Sequence, residues 1–212
     1  MPPHDHRKGL RFGEPLAQAR AALILIHGRG SSPEDIAALA TRLPDEGVAF
    51  LAPAADGGVW YPQRFFAPLD RNEPGLLSAL SVIGDLLAEV KTAGISHERV
   101  GLIGFSQGAC LALETAARSP HRYGFIAGLS GALIGPLETP RSTGDLGGTP
   151  LLLGCAERDA HIPVEYVEHS AVVLTKMGAS VTKHIFTGSA HTVFPEEITW
   201  LKNQVGKLAQ LP

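Results

Sequence analysis

The chain has 212 residues, of which 44% are hydrophobic and 18% are charged, with a formal net charge of −3. This length supports one folded domain with a sizeable core, and the slightly acidic balance argues against nucleic acid as a partner. The apolar runs are too short to span a bilayer, so we expect no stable membrane association and a cytoplasmic location. The two cysteines, Cys110 and Cys155, are expected to be buried reduced thiols.

The first half of the chain alternates short apolar runs with helical patterns. These patterns predict an edge strand over about residues 10–16, buried strands over 21–26 and 48–52, and a long amphipathic helix over about 76–94. Ser32 precedes Pro33 and two acidic residues, which is typical of a capped helix start. Residues 54–75 combine several aromatic side chains with little periodicity, and this favours a functional loop.

The second half continues the alternation of strand and helix patterns. Strands are predicted over residues 100–105, 125–129, 151–155 and 181–186. Three of them lead to a helix, and 125–129 is followed by a second long loop over residues 131–149. The regular alternation predicts the α/β class, with a mostly parallel central sheet and helices on both faces. We expect one domain over residues 1–212, of which 1–9 form a mobile tail. In such sheets the functional groups gather at the carboxyl ends of the strands.

A Gly-x-Ser-x-Gly pattern centred on Ser106 joins the predicted strand 100–105 to the helix that follows. A serine at so sharp a turn is held above the end of the sheet, and Gly104 and Gly108 keep its surroundings free of Cβ atoms. The backbone N–H of Gln107 can then point at a developing oxyanion. The pattern alone is weak evidence in a chain with 24 glycines, and Ser130 lies in a near miss of it.

A serine hydroxyl is a weak nucleophile near neutral pH, so it needs a base, which in turn needs a carboxylate. Proteins with this elbow carry the acid and then the base after the serine. Of the later histidines, His191 alone follows a strand end in a glycine-containing loop before a helix, and we predict it as the base. Asp159, four residues beyond a buried strand, is the predicted acid, with Glu157 as a competitor.

These segments resemble the phospholipase/carboxylesterase family of the α/β-hydrolase superfamily, which includes the acyl-protein thioesterases. The resemblance covers about residues 21–202 and is carried by residues 26–30 (Ile-His-Gly-Arg-Gly), 104–108 (Gly-Phe-Ser-Gln-Gly), 154–163 and 190–197. It implies an α/β-hydrolase fold and a serine hydrolase that works through an acyl-enzyme, with Ser106, Asp159 and His191 as the catalytic triad. It also implies an oxyanion hole from the backbone N–H groups of Arg29 and Gln107.

The loop over residues 54–75 carries the predicted substrate contacts. No insertion between the strands is large enough to form a helical lid, so only the loops over residues 54–75 and 131–149 are available to wall the pocket. We expect Trp60, Tyr61, Arg64 and Phe65 to contact a small soluble ester or thioester. Such a pocket predicts short acyl groups, because each methylene contributes about 0.8 kcal/mol only where apolar surface covers it.

Two alternatives stay open at this point. A dienelactone-hydrolase-like enzyme for small anionic or cyclic esters would bind a substrate carboxylate through Arg29 or Arg64, although such relatives commonly use cysteine as nucleophile. A non-catalytic ligand-binding protein on a hydrolase scaffold is the alternative from another class, although such proteins usually lose a triad residue. No metal-ligand spacing occurs, so neither metal nor cofactor is predicted, and the oligomeric state, a homodimer included, is left open.

Overall fold

Seven strands form one sheet in the computed structural model, which describes residues 4–141 and 143–210. The strands are β1 (Gly9–Gly13), β2 (Ala21–Ile26), β3 (Val48–Pro53), β4 (Val100–Phe105), β5 (Phe125–Leu129), β6 (Pro150–Ala156) and β7 (Ser180–Phe186). Their order across the sheet is β1-β3-β2-β4-β5-β6-β7. β1 pairs antiparallel with β3 at one edge, and the other neighbouring strands pair in parallel.

Helices cover both faces of this sheet, as the apolar character of its central strands requires. The helices are α1 (Pro33–Ala40), α2 (Gly75–Thr92), α3 (Gln107–Arg118), α4 (Val164–Lys176) and α5 (Pro195–Ala209). α1 and α5 contribute to the core on one face, and α2, α3 and α4 to the core on the other. The predicted class, a single α/β domain with a mostly parallel sheet, is confirmed. Within the described ranges, no helix has both the length and the apolar character needed to cross a membrane.

Most predicted elements end within two residues of their observed bounds, and β1 is the main exception. It ends at Gly13, three residues before the predicted end, because Pro15 has no N–H to continue the ladder. The helix start predicted at Pro33 is correct in detail. The Ser32 hydroxyl accepts from the Asp35 N–H, and the Asp35 carboxylate accepts from the Ser32 N–H.

The segment before β1 packs on the domain, in contrast with the mobile tail expected over residues 1–9. The His4 ring donates from Nε2 to the Trp60 carbonyl (2.9 Å) and accepts at Nδ1 from the Asp56 N–H (2.9 Å). Its backbone N–H donates to the Ser78 hydroxyl at 2.7 Å. A polar segment is thus held by long-range hydrogen bonds that its own sequence does not reveal. Residues 1–3 lie outside the described part of the chain.

The first turn of α3 lies directly against the ends of β2 and β4 because Gly108 and Gly104 have no side chain. A Cβ atom on Gly108 would lie 2.1 Å from the carbonyl oxygen of Ile26, and one on Gly104 would lie 2.2 Å from the carbonyl oxygen of Gly108. Both distances are far below van der Waals contact, so any other residue would push the helix away from the sheet. The glycines therefore determine the position of the turn between them.

We expect Gly108→Ala to lower the free energy of unfolding by about 2 kcal/mol or more, because the new methyl group overlaps backbone atoms that cannot move freely. Gly84→Ala is the matched control. Gly84 is exposed in the middle of α2 and an added Cβ would meet nothing within 4 Å, so alanine should stabilise by about 0.5–1 kcal/mol. Urea unfolding measures both changes, and a neutral Gly108→Ala would contradict the packing argument.

Candidate active site

Four loops at the carboxyl ends of parallel strands meet near the middle of the sheet. Arg29 follows β2, Ser106 follows β4, Asp159 follows β6 and His191 follows β7. β2 and β4 are neighbours although β3 lies between them in the chain, so the strand order reverses at this point. In open α/β sheets a ligand-binding crevice lies at such a reversal. The topology therefore brings these four residues together at the carboxyl end of the sheet.

Ser106 has an unusual backbone conformation, with φ 54° and ψ −116°. A positive φ is uncommon for a residue with a Cβ atom and persists only where the surrounding structure imposes it. Here the Ser106 N–H donates to the Leu129 carbonyl (2.9 Å) while its own carbonyl accepts from the Cys110 N–H (3.0 Å). The backbone is thus tied to β5 on one side and to α3 on the other, as the predicted strand-to-helix turn requires.

The side chains of Asp159, His191 and Ser106 form a chain of hydrogen bonds. His191 Nδ1 lies 2.7 Å from Asp159 Oδ2, and His191 Nε2 lies 2.8 Å from Ser106 Oγ. An ionised carboxylate can only accept, so Nδ1 carries the proton toward Asp159. The Nε2 atom of the neutral ring is then left to accept from the serine hydroxyl. This arrangement can remove the hydroxyl proton when Ser106 attacks an electrophile.

Asp159 is well suited to remain ionised although it is largely buried. Burial would raise the pKa of its carboxyl group, but hydrogen bonds from His191 and from the backbone N–H groups of His161 and Ile162 outweigh it and lower the pKa. The Glu157 carboxylate is 41% exposed and instead lies beside Arg158 and the Gly188 N–H. Asp159 and not Glu157 therefore meets His191.

Two further contacts hold the loop that carries His191. The Ser130 hydroxyl donates to the Thr192 carbonyl at 3.3 Å, and the Phe194 N–H donates to the Glu197 carboxylate at 2.7 Å. Ser130 also has a positive φ, 51°, but it is fully buried and its hydroxyl contacts this loop. The near miss of the sequence pattern therefore contributes to the position of the loop.

Glu197 is a fully buried carboxyl group with an unusual environment. Its Oε1 atom has no hydrogen-bond partner within residues 4–141 and 143–210 and packs where a side chain on Gly154 would otherwise lie. Burial raises the pKa of Glu197 to about 7, while the hydrogen bond from Phe194 lowers it in part and the neighbouring Glu196 carboxylate raises it. The sequence shows only a second acidic residue in the first turn of α5, so this role was missed.

The Gln107 side chain joins the nucleophile turn to the aromatic loop. Its Oε1 atom accepts from the Trp60 N–H at 2.9 Å, and its Nε2 atom donates to the Tyr61 carbonyl at 2.8 Å. The oxygen and the nitrogen of the side-chain amide therefore both bind backbone groups of two consecutive loop residues. A residue predicted only for its backbone N–H thus also fixes the wall of the site through its side chain.

Trp60 does not line the cavity around Ser106, so the substrate contact predicted for it is wrong. Its indole N–H donates to the His27 carbonyl at 2.9 Å, and its ring contacts the rings of His27 and His4, with ring centres 5.0 and 5.4 Å away. These contacts bury it completely, behind the cavity. An aromatic residue in a loop without periodicity can face the cavity or the protein interior. Here the hydrogen bonds of its indole and backbone N–H groups hold it in the interior.

The Arg29 side chain is also engaged with the loop. Its guanidinium donates to the carbonyl oxygens of Tyr61 (2.8 Å), Pro62 (3.1 Å) and Gln63 (2.6 Å). Three backbone acceptors therefore engage both terminal nitrogens of an exposed side chain that the sequence offered for a substrate carboxylate. Arg64 is exposed at the cavity, with its guanidinium 5.7 Å from the centre of the Phe66 ring.

A cavity of about 290 Å³, here called the Ser106 cavity, opens beside the hydroxyl. Of the predicted substrate contacts, Tyr61, Arg64 and Phe65 line it. Seven further lining residues were not predicted as site residues, and they are Gly28, Ser31, Gln63, Phe105, Cys110, His161 and Ile162. The helical spacing from Ser106 places Cys110 one turn along α3, and this signal could have identified it.

The two cysteines are free and buried, as predicted. Burial raises the pKa of the Cys110 and Cys155 thiols to about 12 in each case. Neither is therefore a thiolate near neutral pH, so neither competes with Ser106 as a nucleophile. Within the described ranges, no group of three or more His, Cys, Asp or Glu side chains is arranged to hold a metal ion.

Comparisons with known proteins cover nearly the whole chain. The model of the phospholipase/carboxylesterase family matches residues 11–209. A crystal structure of a phospholipase/carboxylesterase from Dyadobacter fermentans is 36% identical with a TM-score of 0.91, covering 97% of this chain and 98% of that one. Esterase PE8 is 26% identical with a TM-score of 0.76, covering 95% and 98%. Acyl-protein thioesterase 1 of Saccharomyces cerevisiae is 26% identical over 94% of this chain and 97% of its own length.

We expect Glu197→Gln to change how stability depends on pH. The folded-state pKa of Glu197 is raised to about 7 from an ordinary 4.5, so the wild-type protein loses stability as the pH rises through this interval. The loss should reach roughly 3 kcal/mol above the folded-state pKa. Glutamine cannot ionise, so the variant should gain on the wild type by this order between about pH 5 and about pH 8.5. Urea unfolding at both pH values measures the gain, and a difference independent of pH would contradict the assignment.

Proposed function

The chain belongs to the phospholipase/carboxylesterase family of ester hydrolases, and we propose that it cleaves small soluble carboxylic esters or thioesters through an acyl-enzyme on Ser106. The observation that carries the proposal is the hydrogen-bond chain from Asp159 through His191 to Ser106, with distances of 2.7 and 2.8 Å. Ser106 and His191 both line the Ser106 cavity, so a bound ester can reach both groups.

In the proposed reaction, Ser106 Oγ attacks the carbonyl carbon while His191 Nε2 takes the hydroxyl proton. The Asp159 carboxylate stabilises the imidazolium ion that results and keeps the ring in the required tautomer. His191 then gives the proton to the departing alcohol or thiol, and the acyl group stays on Ser106. Water, activated by the same ring, releases the acid and restores the serine.

The proposed oxyanion hole consists of the backbone N–H groups of Arg29 and Gln107. Gln107 is the first residue of α3, where N–H groups have no partner within the helix. The N–H groups of Gly30 and Ser31 donate to backbone carbonyls, whereas that of Arg29 makes no backbone hydrogen bond within the described ranges. A Cβ on Gly28 would lie 3.5 Å from the Ser106 Cβ, so this loop directly borders the nucleophile.

The size of the Ser106 cavity supports a short acyl group. Its volume of about 290 Å³ lies at the lower end of the range for small-molecule pockets. The buried rings of Tyr61 and Phe65 close it on the loop side, and Cys110 lies at the α3 side. An acyl chain longer than this space would leave further methylenes in water, where they contribute no affinity.

The alternatives raised by the sequence lose support. Arg29, one of the two arginines proposed to hold a substrate carboxylate, already donates to three carbonyl oxygens. Both arginines are exposed at the cavity, but of the pair only Arg29 is held by loop carbonyl oxygens in this way. A non-catalytic binding protein has no need for a hydrogen-bonded acid, base and nucleophile, all of which are present here.

Replacement of the nucleophile is the first test. We expect Ser106→Ala to lower kcat by about 10⁴-fold or more, because no other group can form the acyl-enzyme. Ser130→Ala is the control, since Ser130 shares the positive φ but contacts Thr192, and its kcat should stay within about tenfold of wild type. A fluorophosphonate probe should label the native enzyme and Ser130→Ala only. Labelling of Ser106→Ala would show that the nucleophile is another residue.

The second test measures kcat/KM on p-nitrophenyl esters with acyl chains from acetate to palmitate, all kept monomeric. We expect a maximum at about two to six carbons, because the Ser106 cavity covers no longer chain. Phe65→Ala enlarges the cavity and should shift the maximum to longer chains. Phe66→Ala removes an adjacent ring that does not line the cavity, so its profile should match the wild type. A steady rise to palmitate would contradict the short acyl site.

A further inference from the structure

A second, larger groove lies on the other side of His191. Its volume is about 600 Å³. One wall is formed by side chains of α1, including Ile36, Ala38 and Leu39, and the other by the loop residues Thr192 and Val193. We call this space the α1 groove, and none of the functions derived above uses it.

The α1 groove is continuous with the Ser106 cavity. Gly28, Ser31, Phe105 and His191 line both spaces. Ser106, Gln107 and Arg29 line the Ser106 cavity but not the groove. The groove therefore begins at the imidazole ring and leads away from the proposed oxyanion hole.

The direction of proton transfer assigns an occupant to each space. When the tetrahedral intermediate collapses, the bond from carbon to the leaving oxygen or sulfur breaks while the bond to Ser106 Oγ remains. His191 Nε2 returns the proton it took from Ser106 to that leaving atom, so the leaving group must lie against the ring. The acyl group, which receives no proton, extends into the Ser106 cavity.

We propose that the α1 groove binds the leaving group of the substrate, an alcohol or thiol with an apolar body of several carbons. This inference rests on the proposed function and adds a substrate class to it, namely a short acyl group on a larger leaving group. The volumes support this assignment of the larger group to the groove, since the groove has about 600 Å³ and the Ser106 cavity about 290 Å³.

The lining of the groove supports an apolar body with little selection for charge. Ile36, Leu39, Val193 and Phe105 provide apolar surface. The charged lining residues are Asp35 and Arg42, which are exposed and opposite in sign. The Asp35 carboxylate is already engaged by the Ser31 hydroxyl at 2.8 Å and by the Ser32 N–H at 3.1 Å. The groove therefore favours the binding of neither an anionic nor a cationic leaving group.

The experiment uses acetate esters of ethanol, butanol, hexanol and 4-phenylbutanol, which share one acyl group and leaving groups of similar acidity. We expect kcat/KM to rise at least about tenfold from the ethyl to the 4-phenylbutyl ester, as apolar surface in the groove becomes covered. Ala38→Trp places a ring in the groove from an exposed position of α1. This variant should reduce the ratio of kcat/KM between the 4-phenylbutyl and ethyl esters to about threefold or less. Ala38→Ser keeps the groove open and should show the wild-type ratio.

The Phe65→Ala variant separates the two spaces. It should leave the dependence on the leaving group unchanged, because Phe65 lines only the Ser106 cavity. Equal rates on all four esters, a rise that persists in Ala38→Trp, or a rise that Phe65→Ala abolishes would each overturn the proposal and leave the esterase function standing. If no ester is cleaved and the fluorophosphonate probe does not label Ser106, the proposed function itself fails.

Discussion

The contact between the first turn of α3 and the end of β2 determines where the chemistry is placed. It exists only because Gly108 has no Cβ atom to separate the two elements, and Gly104 in the same way lets the end of β4 approach α3. The contact holds Ser106 in a strained backbone conformation at the sheet edge and brings the loop of Arg29 beside it. Both N–H groups of the proposed oxyanion hole therefore depend on the same close approach. The positions of the reacting groups therefore depend on a packing constraint that involves no polar side chain.

Buried side chains hold the irregular loops around this centre. Gln107 at the start of α3 binds the backbone of Trp60 and Tyr61, and the fully buried Asn72 binds the Gln63 N–H and the Arg64 carbonyl. Such bonds satisfy backbone groups that a loop cannot pair internally, and so they order it. Glu197 differs from these residues, because one of its oxygen atoms is buried without a partner in the described ranges and its pKa is raised.

His191 lies between two spaces that share Gly28, Ser31 and Phe105 but whose other walls differ. The aromatic loop and α3 enclose the Ser106 cavity, whereas α1 and the residues after His191 form the α1 groove. Because different elements build the two walls, a change in one space need not disturb the other. In the proposed function, preference for the acyl group and preference for the leaving group are therefore determined by different parts of the fold.

The sequence by itself determined most of the secondary structure, the fold class and the four residues brought to the carboxyl end of the sheet, while the family came from the resemblance of its motifs. These features depend on local patterns: apolar runs, helical periodicity, capping residues and the order of residues after strand ends. Only the tertiary structure decided that Trp60 packs behind the site, that Arg29 binds backbone carbonyls, and that Glu197 is buried. Each of these outcomes depends on partners distant in sequence. A loop without periodicity carries no local signal of which way its side chains face, so contacts with residues distant in sequence determine their orientation.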